Sequence, residues 1–176
     1  MTKALFLDRD GVINLDHGYV HTAEKFDLVP GIIELCAIAK SLGYVLVIVT
    51  NQAGIARGYY TEEQYQQFTS HIRDVFATHD ITFAGIYHCP YHPEHGDKID
   101  HPDRKPNPGM LHRAATELGL TLAQSVMVGD NVTDMQAAQR ARIPTRIYFN
   151  DSNKTPPEAT HHTRSHRETI ALLQNL

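Results

Sequence analysis

A chain of 176 residues, 41% hydrophobic and with a formal net charge of -4, is long enough for one domain with a real core and leaves little room for two. The acidic balance offers no basic face to nucleic acid or to an anionic membrane, and no apolar run approaches the ~20 residues that span a bilayer. Two cysteines, Cys36 and Cys89, cannot build a disulfide framework, and "MTK" runs straight into a strand-like segment with no signal-peptide core. A cytoplasmic protein in a reducing compartment is therefore expected, acting as a monomer.

Short apolar runs alternate with longer amphipathic stretches. "ALFLD" (4–8) predicts a first strand, and "GIIELCAIAKSLG" (31–43) a helix that carries Cys36 on its apolar side and stops at Gly43. "YVLVIVTN" (44–51) is a second strand; "TEEQYQQFTSHIRDVFATHD" (61–80) is a helix whose Thr61 and Gln64 have capping-box spacing. "FAGIYHC" (83–89) is a third strand, and "PGMLHRAATELG" (108–119) a helix with proline in its first turn and Gly119 at its end. "SVMVGD" (125–130), "VTDMQAAQRAR" (132–142) and "PTRIYF" (144–149) read as strand, helix and strand. The polar, proline-containing stretch 150–163 reads as a surface loop, with His161, His162 and His166 as solvated tail residues, before a short strand or turn and a closing helix in "RETIALLQNL". This alternation predicts a single α/β domain, a doubly wound and mainly parallel sheet without a large cap domain, with a loop insertion at about 89–104.

Ligands of such sheets bind at the carboxyl ends of the strands. There the sequence places Asp8 and Asp10, then Thr50 and Asn51, then Arg104 and Lys105 by way of the long loop, then Asp130 and Asp134. Two aspartates one residue apart are by themselves most simply a helix cap. The ordered set of "LDRDG", "VTN", "RKP" and "VGDNVTD" is more informative, because carboxylates with one lysine and one hydroxyl suit phosphoryl transfer assisted by a divalent ion. An oxygen-rich carboxylate site favours Mg²⁺, and a carboxylate can itself be the covalent nucleophile.

The order and spacing of these motifs resemble the haloacid dehalogenase superfamily of phosphatases. That resemblance implies Asp8 as the nucleophile and Asp10 as general acid, then base. It also implies Thr50 and Lys105 as holders of the phosphoryl oxygens, and Mg²⁺ on Asp8, the backbone carbonyl of Asp10, and Asp130, with Asp134 in support. The longer stretches "DRDGVIN", "DHGYV", "VTNQAGIARG", "CPYHP" and "RKPNPGM" are similar to the D-glycero-D-manno-heptose 1,7-bisphosphate phosphatases, a subgroup shared with histidinol phosphatases. "GIARG" after "TNQ" favours the heptose branch. By this resemblance, which covers residues 4 to about 149, the substrate is a sugar phosphate that loses its 7-phosphate. Histidinol phosphate or another small phosphomonoester is the alternative, and the presence of both Asp8 and Asp10 disfavours a non-catalytic phosphosugar-binding module. Substrate contacts are then expected at Arg9, Asp16, His17, Gly18, Tyr19, Asn51, Gln52, Ala53, Arg57, Arg104 and Asn131, under cover loops 11–25, 52–60 and 89–104.

That family also holds zinc through Cys-x-His and Cys-x-Cys pairs flanking the loop before Arg-Lys-Pro. Here the pairs read Cys89-Pro-Tyr91 and His101-Pro-Asp103, so one expected ligand remains. Cys89, His92, His101 and Asp103 are the candidate ligands, and the loop is expected to fold without zinc while carrying Arg104 and Lys105 into the site.

Overall fold

The computed structural model describes residues 1–95 and 100–176. Six parallel strands lie in the order β3-β2-β1-β4-β5-β6: β1 Lys3–Leu7, β2 Tyr44–Asn51, β3 Phe83–Cys89, β4 Val126–Gly129, β5 Thr145–Phe149 and β6 His161–Thr163. The helices between them are α1 Ile32–Ser41, α2 Glu62–Ala77, α3 Gly109–Leu118, α4 Val132–Arg140 and α5 His166–Gln174. No helix among the described residues is long and apolar enough to cross a membrane.

Strand periodicity divides the core. Leu5, Leu7, Leu46, Ile48, Val126 and Val128 bury one face under Ile32 and Leu35 of α1, Phe68 and Ile72 of α2, and Ile170 of α5. Their neighbours Ala4, Phe6, Val47, Val49 and Met127 bury the other face under Met110 and Leu111 of α3 and Met135 and Ala138 of α4. Burial on both faces explains the near-continuous apolar runs of these strands. The predicted capping box of α2 is present: Gln64 N–H donates to Thr61 Oγ1 (3.1 Å) and Thr61 N–H to Gln64 Oε1 (2.8 Å).

The strand order reverses between β1 and β4, which opens a crevice at their carboxyl ends. Asp8 and Asp130 follow those two strands directly.

The C-terminal segment departs from expectation. His161 and His162 are half-buried in the edge strand β6, paired with Ile147 and Tyr148, and His162 Nε2 lies 2.7 Å from the carbonyl of Asn150. His166 is fully buried at the start of α5. Its Nε2 lies 2.8 Å from the carbonyl of Val12, and its ring stacks on Phe149 at 4.3 Å. These histidines lack an apolar pattern, and only tertiary partners draw them in.

Candidate active site

The turn after β1 is built on one carbonyl. Asp8 N–H continues the sheet onto Val128 O (3.0 Å), and Arg9 O then accepts from the amides of Val12, Ile13 and Asn14. Gly11 sits at φ 85°, and a Cβ there would collide with the carboxylate of Asp130, so this position needs glycine twice over.

Lys105 reaches the crevice from the loop before α3 and is 3% exposed. Its Nζ donates to Asp8 Oδ1 (3.0 Å) and to Val49 O (2.8 Å), and pairs with Asp134 Oδ1 at 2.6 Å. The backbone of Lys105 is fixed by Asn51, whose side-chain oxygen accepts from Lys105 N–H and whose amide donates to Lys105 O, both at 3.0 Å. Asp134, buried, returns to the start of its own helix and accepts from Asn131 N–H (3.0 Å). Both of its oxygens are therefore committed, which makes it a support for Lys105.

The carboxylates crowd one another. Burial raises Asp8 to about 7, with repulsion from Asp134 and Asp10 opposing the pull of Lys105. Burial, with Asp8 and Asp134 nearby, raises Asp130 to about 9. Burial alone would lower Lys105, but Asp134 and Asp8 outweigh it and hold the ammonium above its ordinary range. Oxygens of Asp8, Asp130 and Asp134 lie within 4.8 Å of one another. Several carboxylates against one buried ammonium leave negative charge that a hard, oxygen-preferring dication would offset, so this donor set fits Mg²⁺.

Asp10 is held differently. Arg9 Nη2 donates to both of its oxygens (3.0 and 3.1 Å), Asn14 Nδ2 to Oδ1 (3.0 Å) and Gln52 Nε2 to Oδ2 (3.1 Å).

A cleft of about 280 Å³ opens over these groups. It is lined by the expected residues Asp8, Asp10, Asp16, Gly18, Tyr19, Asn51, Gln52, Ala53, Lys105, Asp130 and Asn131, together with Asp134. Tyr60 and Thr133 also line it and were not anticipated. Tyr60 looked like ordinary loop cover, and Thr133 like a first-turn helix residue.

Several expected contacts lie elsewhere. Arg9 is buried, donates to Val20 O (2.6 Å) and lies over the ring of Phe68, so it orients Asp10 instead of meeting substrate. His17 turns outward to Asp27 (2.8 Å). Thr50 is buried, its Oγ1 accepting from Gln52 Nε2 (2.9 Å). Arg57 Nη2 lies 2.8 Å from His92 Nε2, and Arg104 Nη1 donates to Tyr91 O (3.0 Å); neither lines the cleft. The expected cover loop 89–104 contributes no lining residue among those described, and its residues 96–99 lie outside the described set.

The zinc candidates are largely engaged by protein partners. Cys89 is buried at the end of β3, and His92 engages Arg57 through Nε2 and Glu94 N–H through Nδ1 (2.9 Å). His101 Nδ1 accepts from Asp103 N–H (3.1 Å), while Asp103 Oδ2 accepts from Arg113 (2.6 Å). Among the described residues the carboxylates at the crevice have oxygens close enough to share a metal ion, and these four do not form such a group. Both ring nitrogens of His92 and one oxygen of Asp103 thus have other partners.

A doubly wound sheet with carboxylates and one lysine at its switch point has the make-up of a phosphoryl-transfer site. Residues 2–142 match the model of the haloacid dehalogenase-like hydrolases, and the chain belongs to that family. Among curated relatives, the D-glycero-alpha-D-manno-heptose-1,7-bisphosphate 7-phosphatase of Burkholderia mallei is 44% identical over 176 residues, covering 97% of this chain and 93% of that one. The D-glycero-beta-D-manno-heptose-1,7-bisphosphate 7-phosphatase of Vibrio cholerae is 48% identical over 147 residues, 82% of this chain and 79% of that one. In structure the chain is similar to the D,D-heptose 1,7-bisphosphate phosphatase of B. bronchiseptica, complexed with magnesium and phosphate. That likeness has a TM-score of 0.85 at 27% identity and covers 99% of this chain and 100% of the other.

Proposed function

We propose that the chain is a Mg²⁺-dependent phosphatase that removes the 7-phosphate of D-glycero-D-manno-heptose 1,7-bisphosphate. The observation that carries this reading is the pair Asp8 and Asp10 after β1, with the Lys105 ammonium 3.0 Å from Asp8. A carboxylate oxygen of Asp8 attacks phosphorus while the bond from phosphorus to the sugar oxygen breaks, and Asp10 gives that oxygen a proton. Asp10 then takes a proton from water, whose oxygen attacks the aspartyl phosphate; phosphate leaves and the Asp8 carboxylate returns. Lys105 faces the phosphoryl oxygens as a fixed cation, where preorganised charge stabilises the transferring group. Asp8, the backbone carbonyl of Asp10, and Asp130 would hold Mg²⁺, which supplies charge neutralisation for the phosphoryl group when bound. The heptose substrate is supported by the relatives at 44% and 48% identity. Phosphate release from a panel of monoesters, with and without Mg²⁺, tests the reading; preference for another monoester would replace the substrate and keep the chemistry.

Lys105 is the one cation among the described residues that line the cleft, so a second phosphate needs another grip. Arg104, next in the chain, spends Nη1 on Tyr91 O, and its fork has further N–H groups to offer. Arg104→Ala should narrow the preference for bisphosphate over monophosphate sugars by about tenfold, as expected for a charged hydrogen bond. An unchanged ratio of kcat/KM values would leave Arg104 as a loop anchor.

The loop around Cys89 folds through the contacts above and needs no zinc. Protein purified without added zinc should carry it well below stoichiometry and should melt unchanged under a strong chelator. Near-stoichiometric zinc with a chelator-induced fall in melting temperature is the contrary result, since structural zinc contributes folding energy.

A further inference from the structure

Tyr60 lines the cleft, is 3% exposed and has no part in the reaction as drawn so far. Its ring is gripped from both sides. His21 stacks on it at 4.6 Å and 12°, and a Cβ on Gly54 would collide with it. Its hydroxyl donates to Gln52 Oε1 in a short hydrogen bond.

Gln52, 2% exposed, passes that constraint on. Its amide nitrogen has two protons, and both are committed: one to Thr50 Oγ1 (2.9 Å) and one to Asp10 Oδ2 (3.1 Å). An inverted amide would press its carbonyl oxygen against the Asp10 carboxylate. Burial, reinforced by the neighbouring Asp10 charge and opposed by Arg9, keeps the Tyr60 phenol protonated well past its ordinary range, so it remains a donor. A donor at that point is what holds Oε1 toward Tyr60 and the amide N–H toward Asp10.

The two oxygens of Asp10 are not equivalent. Oδ1 receives Arg9 Nε (3.3 Å), Arg9 Nη2 (3.0 Å) and Asn14 Nδ2 (3.0 Å). Oδ2 receives Gln52 and a shared N–H of Arg9 (3.1 Å), which leaves it the greater capacity for a proton.

The geometry points to Tyr60 as a positioning residue for proton transfer: by fixing the Gln52 amide it holds the Asp10 carboxyl group in one orientation, with the less crowded Oδ2 as the oxygen that hands the proton to the leaving group. The Oδ2–H bond breaks as the sugar oxygen parts from phosphorus and takes the proton, leaving the Asp10 carboxylate. This rests on the acid–base role proposed for Asp10 above.

The test reads kcat/KM, which ends at the first irreversible step and so does not include hydrolysis of the aspartyl phosphate. Tyr60→Phe, Gln52→Ala and Asp10→Asn are compared on the sugar bisphosphate, whose alkoxide needs a proton to leave, and on p-nitrophenyl phosphate, whose phenolate hardly does. Asp10→Asn should lower the sugar-to-aryl ratio most, by about 100-fold or more, as general acids typically contribute. Tyr60→Phe and Gln52→Ala should each lower it by about tenfold, and the double variant no further, because residues acting through one path are not additive. Tyr60→Phe keeps the packed ring, so its effect isolates the hydroxyl, and Gln52→Ala gives a second reading of the same link. An Asp10→Asn ratio equal to that of the unaltered enzyme would sink the acid assignment itself. A lowered ratio in Asp10→Asn with no change in Tyr60→Phe, or with both substrates equally impaired in Tyr60→Phe, would overturn the positioning role alone.

Discussion

Asp8→Asn should lower phosphate release by on the order of 10⁴-fold or more while leaving the fold intact, because losing a covalent nucleophile removes the reaction path itself. Asparagine matches aspartate in shape but offers a neutral oxygen in place of the attacking carboxylate. Lys105 would keep Val49 O at 2.8 Å and Asp134 at 2.6 Å, so the buried ammonium is not stranded. Asp8 is itself costly to ionise where it sits, since burial raises it to about 7. Removing its charge therefore does not threaten the metal-free fold. Steady-state phosphate release and thermal melting check both halves. Acid quenching of the unaltered enzyme with labelled substrate should trap covalent phosphate, and the variant should trap none. Turnover within tenfold of the unaltered enzyme would take the nucleophile role away from Asp8.

The second large effect belongs to Asp130 and has opposite signs for activity and stability. Burial, with Asp8 and Asp134, raises Asp130 to about 9, and Asp8 stands at about 7, both above the ordinary 3.8. The folded metal-free protein thus binds protons that the unfolded chain has released. This contribution to stability is complete below about pH 4 and is lost as pH rises through about 7 and about 9. Asp130→Asn removes a carboxyl group whose ionisation the fold suppresses. At pH 8 without metal the variant should be more stable by at least about 1.4 kcal/mol, the equivalent of one pKa unit. The stabilisation that Mg²⁺ gives the unaltered enzyme should shrink or vanish, and turnover should fall by about 100-fold or more, as for loss of a metal ligand. Melting curves across pH, with and without Mg²⁺, separate these effects. A variant that keeps its full Mg²⁺-dependent shift would show that Asp130 does not hold the ion.

Much of this was legible in the residues. Apolar runs with strand length, a helix with Thr61 and Gln64 at capping spacing, and acidic groups at the strand ends specify the sheet and the place of the site. Side-chain direction was not legible. Arg9 sits between two catalytic candidates, yet it points into the core because Val20 O and Phe68 are there to receive it. Arg57 and Arg104 are drawn to His92 and Tyr91, partners brought near only by the folded loop. Tyr60 gave no motif, because its importance lies in what Gln52 does with the hydroxyl. The strand His161–Thr163 is too short and polar to announce itself, and depends on pairing with β5.

The contact between His166 and Val12 bears on the order in which the enzyme is assembled. Its partners are 154 positions apart in the chain, and Val12 belongs to the turn that carries Asp10 and Gly11. His166 also lies beyond residues 2–142, where the family match ends. A polypeptide made from its N-terminus presents Asp8 and Asp10 long before the side chain that anchors their turn has been synthesised. Contacts of such long separation close late, after the intervening loop entropy has been overcome. The catalytic turn is thus written well before its anchor and is set in place only afterwards, so a partly made chain carries the acids before their turn has that support.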